Sequence, residues 1–314
     1  MDNAFDNYDL YKHCELCPRR CGVDRTSGGR GVCRMDSELY AARAALHMWE
    51  EPCISGERGS GAVFFTGCSL RCVYCQNIEI SRGEHGRPVT VRGLADIFLR
   101  LQNACHANNI NLVTACHYIP HVAAALRAAK ADGLKIPVVY NSSGYESTSS
   151  LRLLSGLVDV YLPDFKYVSS ALSASFSGAP DYYDVAVAAL DEMLYEVGEP
   201  QFAASDDFCG CEEGIMKRGV IVRHLCLPGH TDDSREVIYR LHERYGDKIY
   251  ISIMNQYTPN GKTDVTELNR TLTDAEYDSV VDYACDIGVE NGFIQEGGTV
   301  GESFIPPFDF TGIL

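Results

Sequence analysis

From about residue 61 the chain alternates short runs of β-branched and apolar residues with longer segments in which apolar residues recur every three or four positions. The first pattern suits strands buried on both faces, and the second suits amphipathic helices. Strands are predicted at Gly61–Thr66, Ile110–Ala115, Ile136–Tyr140, Leu157–Leu162, Val220–Leu225 and Ile249–Met254. The intervening helices are predicted at Val91–His106, Pro120–Ala131, Ser147–Ser155, Tyr182–Val197, Asp232–Arg244 and Asp274–Ile287. Such alternation marks repeated βα units around a parallel sheet. The expected fold class is α/β, a partial (β/α)6 version of the eight-stranded TIM-like barrel, with its chemistry at the carboxyl ends of the strands.

Residues 1–60 fall outside the alternation and carry Gly28-Gly29-Arg30-Gly31 among several cysteines, so they are expected to form a small Cys-rich amino-terminal lobe ahead of a core domain at 61–314. Pro200–Gly214, with Asp206, Asp207, Glu212 and Glu213, reads as an acidic surface loop, and Pro306-Pro307 marks an irregular tail. Hydrophobic residues at 46% and charged ones at 22% are ordinary globular usage. Acidic residues outnumber basic ones 43 to 27, and no Lys/Arg-rich run could track phosphates, which argues against a nucleic-acid partner. The segment Met1–Asp9 lacks the basic start and apolar stretch of a signal peptide, and no apolar run reaches spanning length. The expectation is a cytoplasmic protein with no membrane partner.

Cysteine changes this picture most. Fourteen cysteines in a reducing compartment point to metal rather than disulfides. Seven lie in two tight groups: Cys14, Cys17, Cys21 and Cys33, then Cys68, Cys72 and Cys75. The second group stands in Phe64-Phe-Thr-Gly-Cys68-Ser-Leu-Arg-Cys72-Val-Tyr-Cys75-Gln-Asn, directly after the first predicted strand. Zinc normally takes four ligands in a closed site, and this loop offers three thiols with no adjacent His. Thiolates are also the usual ligands of iron–sulfur clusters.

The CxxxCxxC spacing resembles the signature of the radical S-adenosylmethionine (SAM) enzymes. The resemblance implies a 4Fe–4S cluster held by Cys68, Cys72 and Cys75, with the fourth iron open to the amino and carboxylate groups of SAM. It further implies reductive cleavage of SAM to a 5′-deoxyadenosyl radical, and Tyr74 matches the aromatic residue that packs by the adenine. Across nearly the whole chain the sequence resembles PflX-like proteins, relatives of the pyruvate formate-lyase activating enzyme. The matching motifs are Cys14-Glu-Leu-Cys17-Pro-Arg-Arg-Cys21-Gly-Val-Asp, Val138-Val-Tyr-Asn-Ser-Ser-Gly-Tyr-Glu146, Tyr161-Leu-Pro-Asp-Phe-Lys166, Val222-Arg-His-Leu-Cys-Leu-Pro-Gly229 and Asn255-Gln-Tyr-Thr-Pro259. By that likeness the protein is a glycyl-radical enzyme activase, with a large glycyl-radical enzyme as substrate and flavodoxin or ferredoxin as electron donor. The Gly-Gly-Glu element that meets the SAM amino group in those activases is replaced here by Thr114-Ala-Cys116-His117. Thr114 is then the candidate contact, while Asn141 and Ser143 correspond to ribose and carboxylate contacts and Asp164 to a residue by the SAM pocket. This departure keeps open a radical SAM enzyme acting on a small molecule or another peptide. A third reading, an iron–sulfur electron carrier or metal-binding scaffold, uses no SAM.

Other residues carry weaker expectations. Asn141 and Ser143 suit a turn or helix cap equally well, and Asp164 with Lys166 suits an ordinary ion pair. His117 and His224, near strand ends, are hydrogen-bond donors toward a ligand or structural residues, and Gln256 is a ligand contact or a loop amide. Cys14, Cys17, Cys21 and Cys33 suit either zinc or a second cluster. His47, Glu50 and Glu51 are expected at the mouth of the barrel, where a glutamate could accept a substrate amine or proton, with surface solvation favoured for at least one. Cys209 and Cys211 read as mobile surface thiols, and Cys105, Cys116, Cys226 and Cys285 as small buried residues.

Overall fold

The structure is a computed structural model that describes residues 7–203, 214–259, 261, 263–295 and 305–313. The acidic loop, including Cys209 and Cys211, lies outside the described residues apart from its two ends. In chain order the regular elements are β1 (Tyr40–His47), α1 (Pro52–Ser55), β2 (Ser60–Phe65), α2 (Ile78–Ser81), β3 (Arg87–Pro88), α3 (Val91–Asn103), β4 (Ile110–Val113), α4 (Ile119–Ala131), β5 (Val138–Ser142), α5 (Thr148–Leu151), β6 (Val160–Pro163), α6 (Ser170–Ser177), α7 (Tyr182–Val197), β7 (Gln201–Ala203), β8 (Ile215–Leu225), α8 (Thr231–Tyr245), β9 (Tyr250–Met254), α9 (Asp274–Asp286) and β10 (Gly292–Ile294). Among the described residues no helix is long and apolar enough to cross a membrane.

The fold is mixed α/β with a parallel-strand sheet in the order β10-β9-β8-β6-β5-β4-β2-β1-β3. The parallel run from β2 to β10 has seven strands, one more than the pattern predicts. β10 escapes the reading because it is three residues long, follows a helix closely and is half-exposed. β1 belongs to the segment expected to form the separate lobe, yet it pairs antiparallel with β2 from Ala41↔Phe65 to His47↔Ser60. The described carboxyl-terminal residues run over β1, with Ala44 N donating to Thr311 O and Phe310 N to Ala42 O.

Strand residues alternate between two faces. On the outer face Val63, Phe65, Leu112, Tyr140, Tyr161, Val222 and Ile251 join the main core with the helices. On the inner face Val139, Val160, Leu162, Ile221 and Tyr250 form a second apolar layer, into which Cys53 and Ile54 of α1 insert. Phe64 of β2 and Phe293 of β10, near opposite ends of the parallel run, line one cavity, so the sheet curves around it. β1 ends where β2 begins, so the β1–β2 connection with α1 lies at the amino ends of the strands. That connection forms the floor beneath the cysteine loop, which leaves the opposite end of β2.

Residues 7–39 form a short 3-10 helix (Asn7–Tyr11) and loops around a small cluster of Tyr11, Cys14 and Leu16. They dock on α4 through Tyr11 Oη and His121 Nδ1 at 2.6 Å.

Candidate functional site

The loop after β2 carries Cys68, Cys72 and Cys75, and all three line the central cavity. Gly67 starts the loop at φ +91°, and a Cβ there would stand 2.4 Å from Met35 Cγ, so the close approach requires glycine. Cys68 Sγ accepts from Leu70 N at 3.4 Å, and Cys72 Sγ accepts from Ser177 Oγ at 3.0 Å. Burial pushes the Cys68 thiol up to about 12, with the neighbouring Cys75 and Cys72 adding to the effect, and burial also raises Cys75. Thiolates in this loop therefore need adjacent positive charge, which iron would supply. The donor set of three thiols on one cavity wall, none of them in a disulfide, fits a cubane cluster. Among the described residues no three His, Cys, Asp or Glu side chains are grouped to hold a single metal ion.

The cavity encloses about 660 Å³, a volume suited to a small-molecule ligand. Tyr74, Thr114, Asn141, Ser143 and Asp164 all line it. The Tyr74 ring is buried edge-on against Tyr167, Phe176 and Tyr257, and its hydroxyl accepts from Tyr167 Oη at 2.7 Å. Thr114 has φ +62°, a region that L-residues with branched Cβ rarely enter, and its N–H donates to Asn141 O at 2.9 Å. In Asn141–Gly144 the last residue is at φ +74°, where a Cβ would lie 2.2 Å from Asp164 O. The β5 and β6 ends are thereby held together, and Ser143 O accepts from Tyr182 Oη at 2.8 Å. Gln256 also faces the cavity, its carbonyl accepting from Gln76 Nε2 at 2.8 Å.

Below these residues lies an ionic network centred on Arg223 of β8, which the sequence reading did not single out. Its Nε donates to Asp164 at 3.0 Å, Nη1 to Glu50 at 3.0 Å and Nη2 to Asn141 Oδ1 at 2.6 Å. Lys166 Nζ donates to the other Asp164 oxygen at 2.6 Å. Burial opposes ionisation of Asp164, but Lys166 and Arg223 outweigh it and hold the carboxyl below its usual range. An arginine directly after the apolar run Val220-Ile-Val222 was the available signal, since charged residues are seldom buried unless paired.

Several expectations change. Glu50 and Glu51 enter from the amino ends of the strands rather than the mouth, and neither is a solvated surface group: the Glu50 side chain is 6% exposed and Glu51 8%. His47 lines the cavity, and burial pushes it down to about 4. His117 and His224 lie off the cavity lining, bonded to Thr66 O and Phe165 O, both at 2.8 Å. Cys285 is exposed and Cys105 half-buried, because each sits on the polar side or end of its helix, whereas Cys116 and Cys226 are buried as expected.

Cys14, Cys17, Cys21 and Cys33 lie off the cavity lining, Cys14 and Cys21 in the small cluster with Tyr11 and Cys33 in the main core. Burial pushes Cys17 up to about 12 and also raises Cys33. Beside them Arg25 is fully buried. Its guanidinium donates to Asp36 O at 2.6 and 3.0 Å, His117 O at 2.7 Å and Cys14 Sγ at 3.8 Å, and it lies over the Tyr11 ring at 4.6 Å.

No protein-family model matches the sequence. The chain is similar to a radical SAM methyltransferase from Sphaerobacter thermophilus, with a TM-score of 0.50 and 14% identity over 74% of this chain and 65% of that one. This likeness shows a shared fold. Streptococcus suis SuiB, solved bound to S-adenosylmethionine, aligns with a TM-score of 0.47 and 13% identity over 73% of this chain and 48% of that one. The chain thus spans about half to two-thirds of the length of these solved chains. In sequence it is 30% identical over 284 residues to the uncharacterized protein MJ0674 of Methanocaldococcus jannaschii, covering 88% of this chain and 75% of that protein. The chain belongs to the family of that archaeal protein.

Proposed function

We propose that this protein is a radical SAM enzyme. The observation that carries the reading is the meeting of Cys68, Cys72 and Cys75 with Tyr74, Thr114, Asn141, Ser143 and Asp164 on one cavity, in a fold shared with a radical SAM methyltransferase. Cys68, Cys72 and Cys75 would hold three irons of a 4Fe–4S cluster and leave the fourth to the amino and carboxylate groups of SAM. When bound and reduced, the cluster supplies the electron that splits SAM into methionine and a 5′-deoxyadenosyl radical. Thr114, Asn141 and Ser143 offer hydroxyl and amide groups to the polar parts of SAM, and Tyr74 offers an apolar wall to the adenine. Asp164 orients Lys166 and Arg223 along the same surface. The buried walls exclude water from the reacting atoms.

The resemblance to glycyl-radical activases supports a partner enzyme as substrate, with flavodoxin or ferredoxin as reductant. A small molecule or another peptide is the second reading, favoured by the deep, charge-lined floor and by Thr114 in place of Gly-Gly-Glu. Cys14, Cys17, Cys21 and Cys33 are proposed to bind a separate metal, zinc or a second cluster; the buried Arg25 supports this, because thiolates around a metal would balance its charge.

The test is anaerobic reconstitution, reduction and assay of SAM cleavage. Wild-type protein should release 5′-deoxyadenosine and methionine, and Cys72→Ala should not. Iron bound without SAM cleavage would instead favour an electron carrier, and full cleavage by Cys72→Ala would overturn the assignment of the loop. Glycyl-radical formation in an added partner enzyme, seen by electron paramagnetic resonance, separates the activase reading from the second.

A further inference from the structure

The floor of the cavity holds more acidic than basic side chains. Glu50, Glu51 and Asp164 supply three carboxylates, against the two cations Arg223 and Lys166. Arg223 directs its described hydrogen bonds to Asp164, Glu50 and Asn141, and Lys166 pairs with Asp164. Glu51 receives none of these bonds, and its buried Oε2 has no hydrogen-bond partner. Asn111 Oδ1, on the strand face whose Nδ2 donates to Glu50 at 2.8 Å, is a second buried acceptor without a donor. Glu51 feels the charge of Arg223 and a bond from Ser252, but Arg223 is shared with Glu50 and Asp164, and a buried carboxylate so placed is costly unless a further cation or a proton joins it. Ser252 stands beside Glu51 on β9, while Met48, Trp49 and Ile294, all substantially exposed, give the same cavity an apolar rim.

We infer that the cavity floor is a binding site for a positively charged nitrogen group of the substrate, held by the Glu51 carboxylate. The site takes an organic ammonium or amidinium carried on an apolar body: the charged end reaches Glu51 and the body lies against the rim, where an indole face also favours a cation. Calling this ligand the substrate rests on the radical SAM reading. The charge requirement does not, because it follows from the floor alone. Burial also pushes the Glu51 carboxyl upward, so a proton is the rival occupant and the experiment must separate the two.

The probe is n-butylammonium, with butan-1-ol and butyrate as uncharged and negative controls of similar size, titrated into cluster-loaded protein and followed by ligand-observed NMR and calorimetry. Butylammonium should bind, both controls should bind at least tenfold more weakly, and Glu51→Gln should lower butylammonium affinity at least tenfold. Equal binding of butan-1-ol, no butylammonium binding at all, or unchanged affinity in a folded Glu51→Gln protein would each overturn the inference, the second outcome assigning the floor to a proton. If the variant does not fold, a wild-type crystal soaked with butylammonium decides: nitrogen within hydrogen-bond reach of Glu51 supports the site, and nitrogen elsewhere refutes it. The titration needs neither SAM nor turnover, so failure of SAM cleavage and failure of amine binding are separate results.

Discussion

The cavity and the amino-terminal segment at residues 7–39 each bury a guanidinium, and they compensate it in opposite ways. Arg223 sits among carboxylates, bonded to Glu50 and Asp164. Arg25, more completely buried, is bonded among the described residues to backbone carbonyls and the Cys14 sulfur, lies over tyrosine rings and has the Cys33 thiol nearby. Neutral hydrogen bonds satisfy its N–H groups without cancelling its charge. In the cavity the acidic side chains outnumber the cations, an excess that the cationic ligand inferred above would offset; around Arg25 the described residues place no acid against the cation, a deficit that the proposed metal-bound thiolates would offset.

The largest expected effect breaks the cavity side of this contrast. Arg223→Met leaves two buried carboxylates facing each other without a guanidinium, and removing one partner from such a network costs about 3–5 kcal/mol. Urea denaturation of the variant beside wild type measures it, and a loss below about 1 kcal/mol would mean that Glu50 and Asp164 do not depend on Arg223.

The amino-terminal segment answers to a difference experiment. Arg25→Met removes the same hydrogen bonds whether metal is present or not, but removes a charge partner only when the cysteines are metal-bound thiolates. The melting temperature should therefore fall further in metal-loaded protein than in chelator-stripped protein, by the equivalent of about 1.5–3 kcal/mol for a hydrogen bond to a charged group. Equal losses in both states would overturn the proposed metal at Cys14, Cys17, Cys21 and Cys33.

Acid titration sharpens the comparison from another side. Burial holds His224 near 4, well under its ordinary value, and its Nδ1 donates to Phe165 O. A histidine with a depressed folded pKa binds fewer protons folded than unfolded, so stability falls as pH drops from about 6.5 toward about 4. The slope is roughly 1.4 kcal/mol per pH unit for one such group. His224→Asn keeps an amide N–H for the carbonyl and cannot titrate, so its denaturation profile should be flatter across that window. An unchanged profile would place the acid sensitivity elsewhere, for instance in His121 of α4, which burial also lowers to about 4.

The parallel strands were legible because burial on both faces leaves continuous apolar runs, and the cysteine loop was legible because its spacing is local in sequence. The ionic floor was not. Glu50, Asp164 and Arg223 lie 59 to 173 positions apart, so only the curvature of the sheet brings them together. Glu50 and Glu51 were expected at the mouth, at least one of them solvated, because the antiparallel β1, which carries that segment to the amino ends of the strands, has a bulge and small residues rather than a clear alternation. Helix α6 was missed for a similar reason: its serine-rich sequence lacks an apolar stripe, and its Ser169 cap and Gly178 at φ +57° are what delimit it.

The smallest effect concerns Asp164, which shares its carboxylate between Arg223 and Lys166 while lining the cavity. A purely structural Asp164 predicts that Asp164→Asn and Lys166→Met destabilise the fold to a similar extent and leave SAM affinity alone, since each removes half of one buried pair. A role at the SAM pocket predicts more. Asparagine keeps an oxygen for Arg223 but loses the charge that fixes Lys166, so the ammonium is free to turn and the polar surface offered to SAM is rearranged. Asp164→Asn should then bind SAM at least tenfold more weakly, about 1.4 kcal/mol, with iron content unchanged when equilibrium dialysis is run on reconstituted protein. Equal SAM affinity in a folded, iron-replete Asp164→Asn protein would return Asp164 to the ionic network alone and leave Thr114, Asn141 and Ser143 as the polar contacts to test next.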